Sequence, residues 1–318
     1  MAQTAGMINR SLIAPPGRDE GAPPAAAAAA IMPALDPDRP VLIAGPTAAG
    51  KSALALAIAR RIGGVVVNAD ALQVWSCWRV LTARPSPGDE AAVPHALYGH
   101  VAPGRGYSVG DWLAEVAALR AGGARLVIAG GTGLYLTALT RGLAIIPPVP
   151  PEIRQQGDQW LAAGGLAGMT AALDGPTRAL IDTRNPARVQ RAWEVLAATG
   201  RGLSAWQADT PPPLIRPEEA QRLVLTMDRD RLAARIAARF DAMIRDGALR
   251  EVDALRAIWD GRAQWTRAIG AGELKAHLDG MMTLDEARER AVIATRQYAK
   301  AQRIWFRSKM GDWTPVPA

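Results

Sequence analysis

The chain holds a single cysteine, Cys77, and three histidines, His95, His100 and His277, in 318 residues. One cysteine excludes a disulfide framework within the chain. His95 and His100 stand too far from any cysteine or acidic partner to suggest a zinc site. Cys77 reads as an inert buried thiol rather than a nucleophile. No run approaches the roughly 20 consecutive apolar residues of a membrane span. The Ala-rich stretch Pro24 to Leu35 is flanked by Asp19, Glu20 and prolines, which makes a poor secretory signal. A reducing, cytoplasmic setting is expected. Aromatic residues are few, at 5%, and the scattered tryptophans read as core.

What is present points to an α/β fold. Apolar residues make up 49% of the chain, enough to bury a large core, and 37 Lys+Arg against 30 Asp+Glu leave a net charge of +7. Nearly all of the cations are arginine, which suggests an anionic partner without choosing between phosphates and nucleic acid. Val41-Leu42-Ile43-Ala44 reads as a buried parallel strand. A helix follows to Ile62, and Val65-Val66-Val67 is a second strand that delivers Asn68-Ala69-Asp70. Residues 82–107 read as loops. Ser108 with Asp111 forms a capping box for a helix to about Arg120. Leu126-Val127-Ile128-Ala129 is a third strand, and Gly130-Gly131-Thr132-Gly133 turns from it into a helix.

This alternation argues for a doubly wound parallel sheet flanked by helices, which the glycine-rich loop at 45–52 makes P-loop NTPase-like. Proline runs at 147–151 and 211–213 bracket a segment that reads as wholly helical over 152–208. The organisation expected is a disordered leader over 1–36, a core of 37–146 and 214–318 with C-terminal helices, and a small all-helical insert over 147–213. Arg222 to Met227 reads as a strand returning to the sheet, and helices are expected to fill the remainder. The last of them starts at the Thr283/Glu286 capping box and runs to about Lys309.

Gly45-Pro46-Thr47-Ala48-Ala49-Gly50-Lys51-Ser52 matches G-x-x-x-x-G-K-[ST] in full, between a strand and a helix. Glycines let backbone N–H groups approach phosphate oxygens, and the helix N-terminus adds its dipole. Lys51 would contact terminal phosphates and Ser52 would ligate Mg²⁺. A hydrolytic NTPase commonly ends a later apolar strand in Asp. Here that strand ends in Gly130, which favours transfer to a bound acceptor. Asp70, at the carboxyl end of a neighbouring strand, should face the same crevice. It suits a general base or a partner of Mg²⁺, and Gln73 one turn on suits a base edge. Arg231, Arg235 and Arg239 recur at i, i+4, i+8 beside the core stripe Leu232, Ile236, Phe240, Met243, and a diphosphate would relieve their repulsion. Arg296, Lys300, Arg303 and Arg307, interleaved with Tyr298, Trp305 and Phe306, suit a nucleic-acid backbone and stacked bases. Arginines near Asn185-Pro186, including Arg188 and Arg191, suit phosphates. On the residues alone, a P-loop small-molecule or nucleoside kinase stays open beside a nucleic-acid-directed transferase.

Together these landmarks resemble the tRNA dimethylallyltransferase (isopentenyl-diphosphate:tRNA transferase) family from about Pro40 to Trp313. The carriers are the P-loop, Asn68 to Val74, Gly130 to Tyr135, Arg188 to Val195 and Thr295 to Lys300, in that order. The resemblance implies transfer of a dimethylallyl group from dimethylallyl diphosphate to N6 of the adenine next to the anticodon of tRNA, by a monomer using Mg²⁺. It implies Asp70 as general base, with Thr47 and Arg239 beside it, and residues 45–52 holding diphosphate where the motif alone would announce ATP. It implies tRNA contacts at Asp70, Ala71, Leu72, Gln73, Thr132, Arg154, Ala187, Arg188, Val189, Gln190, Arg191, Arg267 and Gly270. Arg84, Ala187, Ala271 and Ala301 depart from the family's usual Lys, Gln, Tyr and Arg.

Overall fold

The computed structural model describes residue 31 and residues 34–318. The expected disordered leader therefore lies almost wholly outside the described residues. Among these, six parallel strands form one sheet in the order β3-β2-β4-β1-β5-β6. They are β1 Val41–Ala44, β2 Val65–Asn68, β3 His95–Ala96, β4 Leu126–Gly130, β5 Gln221–Thr226 and β6 Thr314–Pro317. β1 is central and wholly buried. A strand covered on both faces reads as a continuous apolar run because both sets of alternate side chains meet helices. Val41 and Ile43 pack into one layer with Leu54 and Ile58, while Leu42 and Ala44 face the other with Trp112, Leu136 and Leu139. Each such fully buried Val, Leu or Ile side chain stabilises the fold by about 1.5–3 kcal/mol.

The parallel sheet with flanking helices agrees with the sequence expectation, and three local readings change. The segment 82–107 holds a helix, Pro87–Ala92, and the two-residue β3. Ser86 Oγ accepts from the Asp89 N–H at 3.2 Å and Asp89 Oδ2 accepts from the Ser86 N–H at 3.0 Å, so a capping box nucleates this short helix despite its Pro and Gly. The chain does not finish in helix, because β6 pairs with β5 from Leu223↔Thr314 to Thr226↔Pro317. Pro315 and Pro317 argue against a strand, but an edge strand tolerates a missing N–H on its outer side. Residues 151–208 form five separate helices, among them Pro151–Ala162 and Pro186–Thr199. They close on a small core of Met169, Leu173, Val189 and Ala192, and contribute no strand.

Candidate active site

The P-loop leaves β1 and bends through Ala48 at φ 63° and Gly50 at φ 97°. A left-handed alanine is strained, and such strain concentrates at functional sites. The helix Lys51–Ile62 begins here with no side-chain cap and no acidic residue in its first turn. Its leading N–H groups thus lack an internal acceptor and suit an anion. Lys51 Nζ donates to the Pro46 carbonyl at 2.9 Å. Loss of water around the ammonium lowers its pKa to about 8, against the pull of Asp70 and with the push of Arg239.

Asp70 follows β2 and is held by its neighbours. Buried Asn68 accepts from the Asp70 N–H at 2.8 Å and donates back to the Asp70 carbonyl at 2.9 Å. The Leu72 N–H donates to Asp70 Oδ1 at 3.0 Å. Burial, and after it the Asp70 charge, pushes the phenols of Tyr98, Tyr135 and Tyr298 up, so they stay neutral. Thr132 Oγ1 accepts from the Ala71 N–H at 2.9 Å, which ties the loop after β4 to the loop after β2. The glycines before Thr132 permit this approach. A Cβ on Gly130 would fall 2.0 Å from the Ala69 carbonyl oxygen, and one on Gly131 2.3 Å from Gln302 Nε2.

These pieces line one cavity enclosing ≈ 610 Å³ of empty space, some of it open to solvent. Thr47, Asp70, Gln73, Thr82, Arg239, Thr295 and Tyr298 give it polar walls, and Leu72, Leu81, Ile236, Phe240, Met243 and Ile269 an apolar one. The Thr47–Ala48 part of the glycine-rich loop, a carboxylate and an apolar wall therefore share one space. Arg239 lines it, whereas Arg231 donates to the Ala318 carbonyl at 2.9 Å, so the arginine stripe does not act as one block. Gln73 spends its Nε2 on the Thr82 and Ala83 carbonyls at 2.8 and 3.1 Å, leaving only its Oε1 for a base edge. Ser52 is exposed at the start of its helix. Among the described residues no cluster of three or more His, Cys, Asp or Glu could hold a metal by itself. Mg²⁺ characteristically keeps waters and binds through one or two protein oxygens plus substrate phosphates, and the exposed Ser52 hydroxyl fits the part of one such oxygen.

The remaining expected contacts lie elsewhere. Arg154, Ala187 and Arg188 are exposed on the helical segment 151–208. Val189 is fully buried in its core, so its side chain faces inward and leaves only its backbone for contact with RNA. Gln190 Nε2 donates to Asp158 Oδ1 at 2.7 Å and Glu194 Oε1 at 3.0 Å. Desolvation disfavours the Arg191 charge, against the pull of Glu194 beside it and with the push of nearby Arg154. Arg267 is exposed. Buried Gly270 sits at φ 92°, where a Cβ would fall 2.6 Å from the Phe240 ring. The helix Leu284–Lys309 exposes Arg296, Lys300 and Arg307 on one side and turns Thr295, Tyr298 and Gln302 inward. Arg84 is buried against Gly99. Burial pushes the Cys77 thiol up to about 11, consistent with an inert thiol.

Sequence reasoning missed the apolar wall, Gln302 and Glu251. The Glu251 carboxylate accepts from the consecutive N–H groups of Arg79, Val80 and Leu81 at 2.8, 2.7 and 2.9 Å and so shapes the loop that carries Leu81 and Thr82 into the cavity.

The model of the IPP transferase family matches residues 73–309. Over 289 residues the chain is 67% identical to a tRNA dimethylallyltransferase of Paracoccus denitrificans, covering 89% of this chain and 96% of the relative. It is 62% identical over 286 residues to one of Dinoroseobacter shibae, covering 89% and 96%. The crystal structure of a full-length tRNA isopentenylpyrophosphate transferase from Bacillus halodurans superposes with a TM-score of 0.63 at 30% identity, over 88% of this chain and 90% of that one. A eukaryotic dimethylallyltransferase acting on tRNA gives 0.74 at 22% identity, over 87% and 73%, and shares the fold.

Proposed function

The chain belongs to the IPP transferase family, and from that premise we propose that its cavity moves a dimethylallyl group from dimethylallyl diphosphate to N6 of the adenine beside the anticodon of tRNA. The observation that carries this reading is the cavity itself, where Thr47 of the phosphate loop, Arg239 and the Asp70 carboxylate meet an apolar wall. The kinase reading left open by the motifs gives way to the family.

The P-loop N–H groups, Lys51 and Arg239 grip the diphosphate, and the apolar wall takes the five-carbon chain. Ser52 would hold Mg²⁺ on the phosphates, where the ion supplies charge neutralisation. The adenine N6 lone pair forms a bond to C1 of the prenyl group as the C1–O bond breaks. That electron pair stays on the leaving diphosphate, and an N6 proton passes to Asp70. Charge grows on the diphosphate oxygens during this step, and Lys51 and Arg239 stabilise it without reorganisation. A flipped base from a single-stranded loop reaches the cavity at lower cost than one from a duplex. The exposed Arg296, Lys300 and Arg307, with Arg154 and Arg188, supply cations for the tRNA backbone. Because its acceptor is tRNA, we place the reaction in the cytoplasm, performed by a monomer; separately, among the described residues no helix is long and apolar enough to cross a membrane.

The test is direct. The protein is incubated with dimethylallyl diphosphate, Mg²⁺ and bulk bacterial tRNA, and digested nucleosides are read by mass spectrometry. N6-dimethylallyladenosine is expected; its absence, or ATP-dependent phosphorylation of a metabolite in its place, overturns the reading.

A further inference from the structure

β1 and β4 pair in parallel, and their register ends at Ala44↔Gly130. Beyond that pair the strands give way to two loops with different duties, the P-loop and the Gly131–Thr132 turn. One side chain spans the gap that opens between them. Gln302, only 5% exposed on the inner face of the helix Leu284–Lys309, accepts from the Thr47 N–H through Oε1 at 2.9 Å. Its Nε2 donates to the Gly131 carbonyl at 2.9 Å. An amide carries one acceptor end and one donor end, so a single orientation satisfies both partners. A carboxylate has no donor for Gly131, and an asparagine is one methylene shorter.

The surroundings are fitted to this span. Gly131 has no Cβ where one would fall 2.3 Å from Gln302 Nε2. Tyr298, one turn earlier on the same helix, lies close to both Gln302 and Thr132. Thr132 in turn receives the Ala71 N–H, next to Asp70. The path thus runs by hydrogen bonds from Thr47 through Gln302 to Gly131, along the backbone to Thr132, and by a further hydrogen bond to Ala71 beside the carboxylate.

We propose that Gln302 is a positioning residue that fixes the separation between the phosphate-holding loop and the Gly131–Thr132–Asp70 side of the cavity, and with it the distance between the two reacting groups. This rests on the reading given under Proposed function. Gln302 touches neither substrate; it acts through Thr47 and Gly131. Reacting atoms must lie within about 3–3.5 Å, and a displacement near 1 Å costs about 100-fold in rate.

The test uses Gln302→Met, which keeps the volume and removes both polar ends, together with Gly131→Ala and the double variant. At saturating donor and tRNA, single-turnover transfer by Gln302→Met is expected to fall about 10- to 100-fold, with tRNA affinity held within about threefold. Gly131→Ala should do the same by displacing the amide. The double variant should be little slower than either single one, because both break one link. Gln302→Glu keeps only the acceptor and should not rescue. Amide hydrogen exchange at Thr47 should quicken in Gln302→Met, a readout that needs no turnover. Transfer by Gln302→Met within threefold of wild type, independent multiplication of the two defects, or unchanged exchange at Thr47 would each overturn the proposal. Wild-type protein that makes no prenylated adenosine, with Thr47 exchange still dependent on Gln302, would instead overturn the assigned reaction and leave the link intact.

Discussion

Lys51→Met should make the ligand-free protein more stable. The Lys51 ammonium is held in a cradle that strips its water, and its pKa falls from 10.5 to about 8. A tenfold loss of proton affinity corresponds to about 1.36 kcal/mol, so the protonated side chain costs the fold about 3 kcal/mol near neutral pH. Methionine keeps the stem and removes the charge, while losing the hydrogen bond to Pro46, worth about 1 kcal/mol. The net gain is about 2 kcal/mol, or about 3 °C in Tm for a chain of this size. The pH dependence carries a definite sign. Below about pH 8 the lysine is protonated whether the chain is folded or not, and the full penalty is present. Between about 8 and 10.5 the folded chain has released the proton that the unfolded chain still holds, so wild-type stability rises with pH. The advantage of Lys51→Met should therefore be largest at pH 7 and mostly gone by pH 10. Differential scanning calorimetry of both proteins without ligand, at pH 7, 8.5 and 10, reads this directly. A variant less stable than wild type at pH 7, or a gap that does not narrow with pH, refutes the reasoning. Diphosphate should reverse the ranking, since it stabilises only the protein that keeps the cation.

Other perturbations follow from the same geometry. Asp70→Asn keeps the acceptor for the Leu72 N–H and loses the base, so kcat should fall about 10²- to 10⁴-fold while tRNA binding, measured by filter retention, persists. Replacing Arg296, Lys300 and Arg307 together with alanine should weaken tRNA binding and lower the slope of log affinity against log salt by about 2, with the rate on bound tRNA unchanged. Gly270→Ala forces a Cβ against Phe240 at φ 92° and should destabilise the fold by about 1–3 kcal/mol, read by chemical denaturation.

The phosphate loop was legible because everything that makes it is local: an apolar strand, glycines at fixed spacing and a helix start within twelve residues. The capping boxes at Ser108 and Thr283 were legible for the same reason. Asp70 was placed by a rule about strand ends rather than by its neighbours, and that rule suffices when strands are parallel. The apolar wall was not legible, since Leu81, Ile236 and Ile269 look like ordinary core residues until three distant segments converge. Gln302 was hidden by its surroundings in sequence. It sits between Ala301 and Arg303 in a helix read for its cations, and its partner Thr47 lies 255 residues away. The prolines of β6 masked a strand for a purely local reason. The arginine stripe was half right: its period is real, but Arg231 turns to the Ala318 carbonyl and Arg239 to the cavity.

The segment 151–208 closes on a small apolar cluster of Met169, Leu173, Val189 and Ala192, whereas the sheet is sandwiched between two far larger apolar layers. Opening free energy follows buried apolar area, so the two parts should exchange their amide protons as separate cooperative units, the helices first. A chain built this way can let its arginine-bearing helices breathe while the residues that line the cavity stay in register.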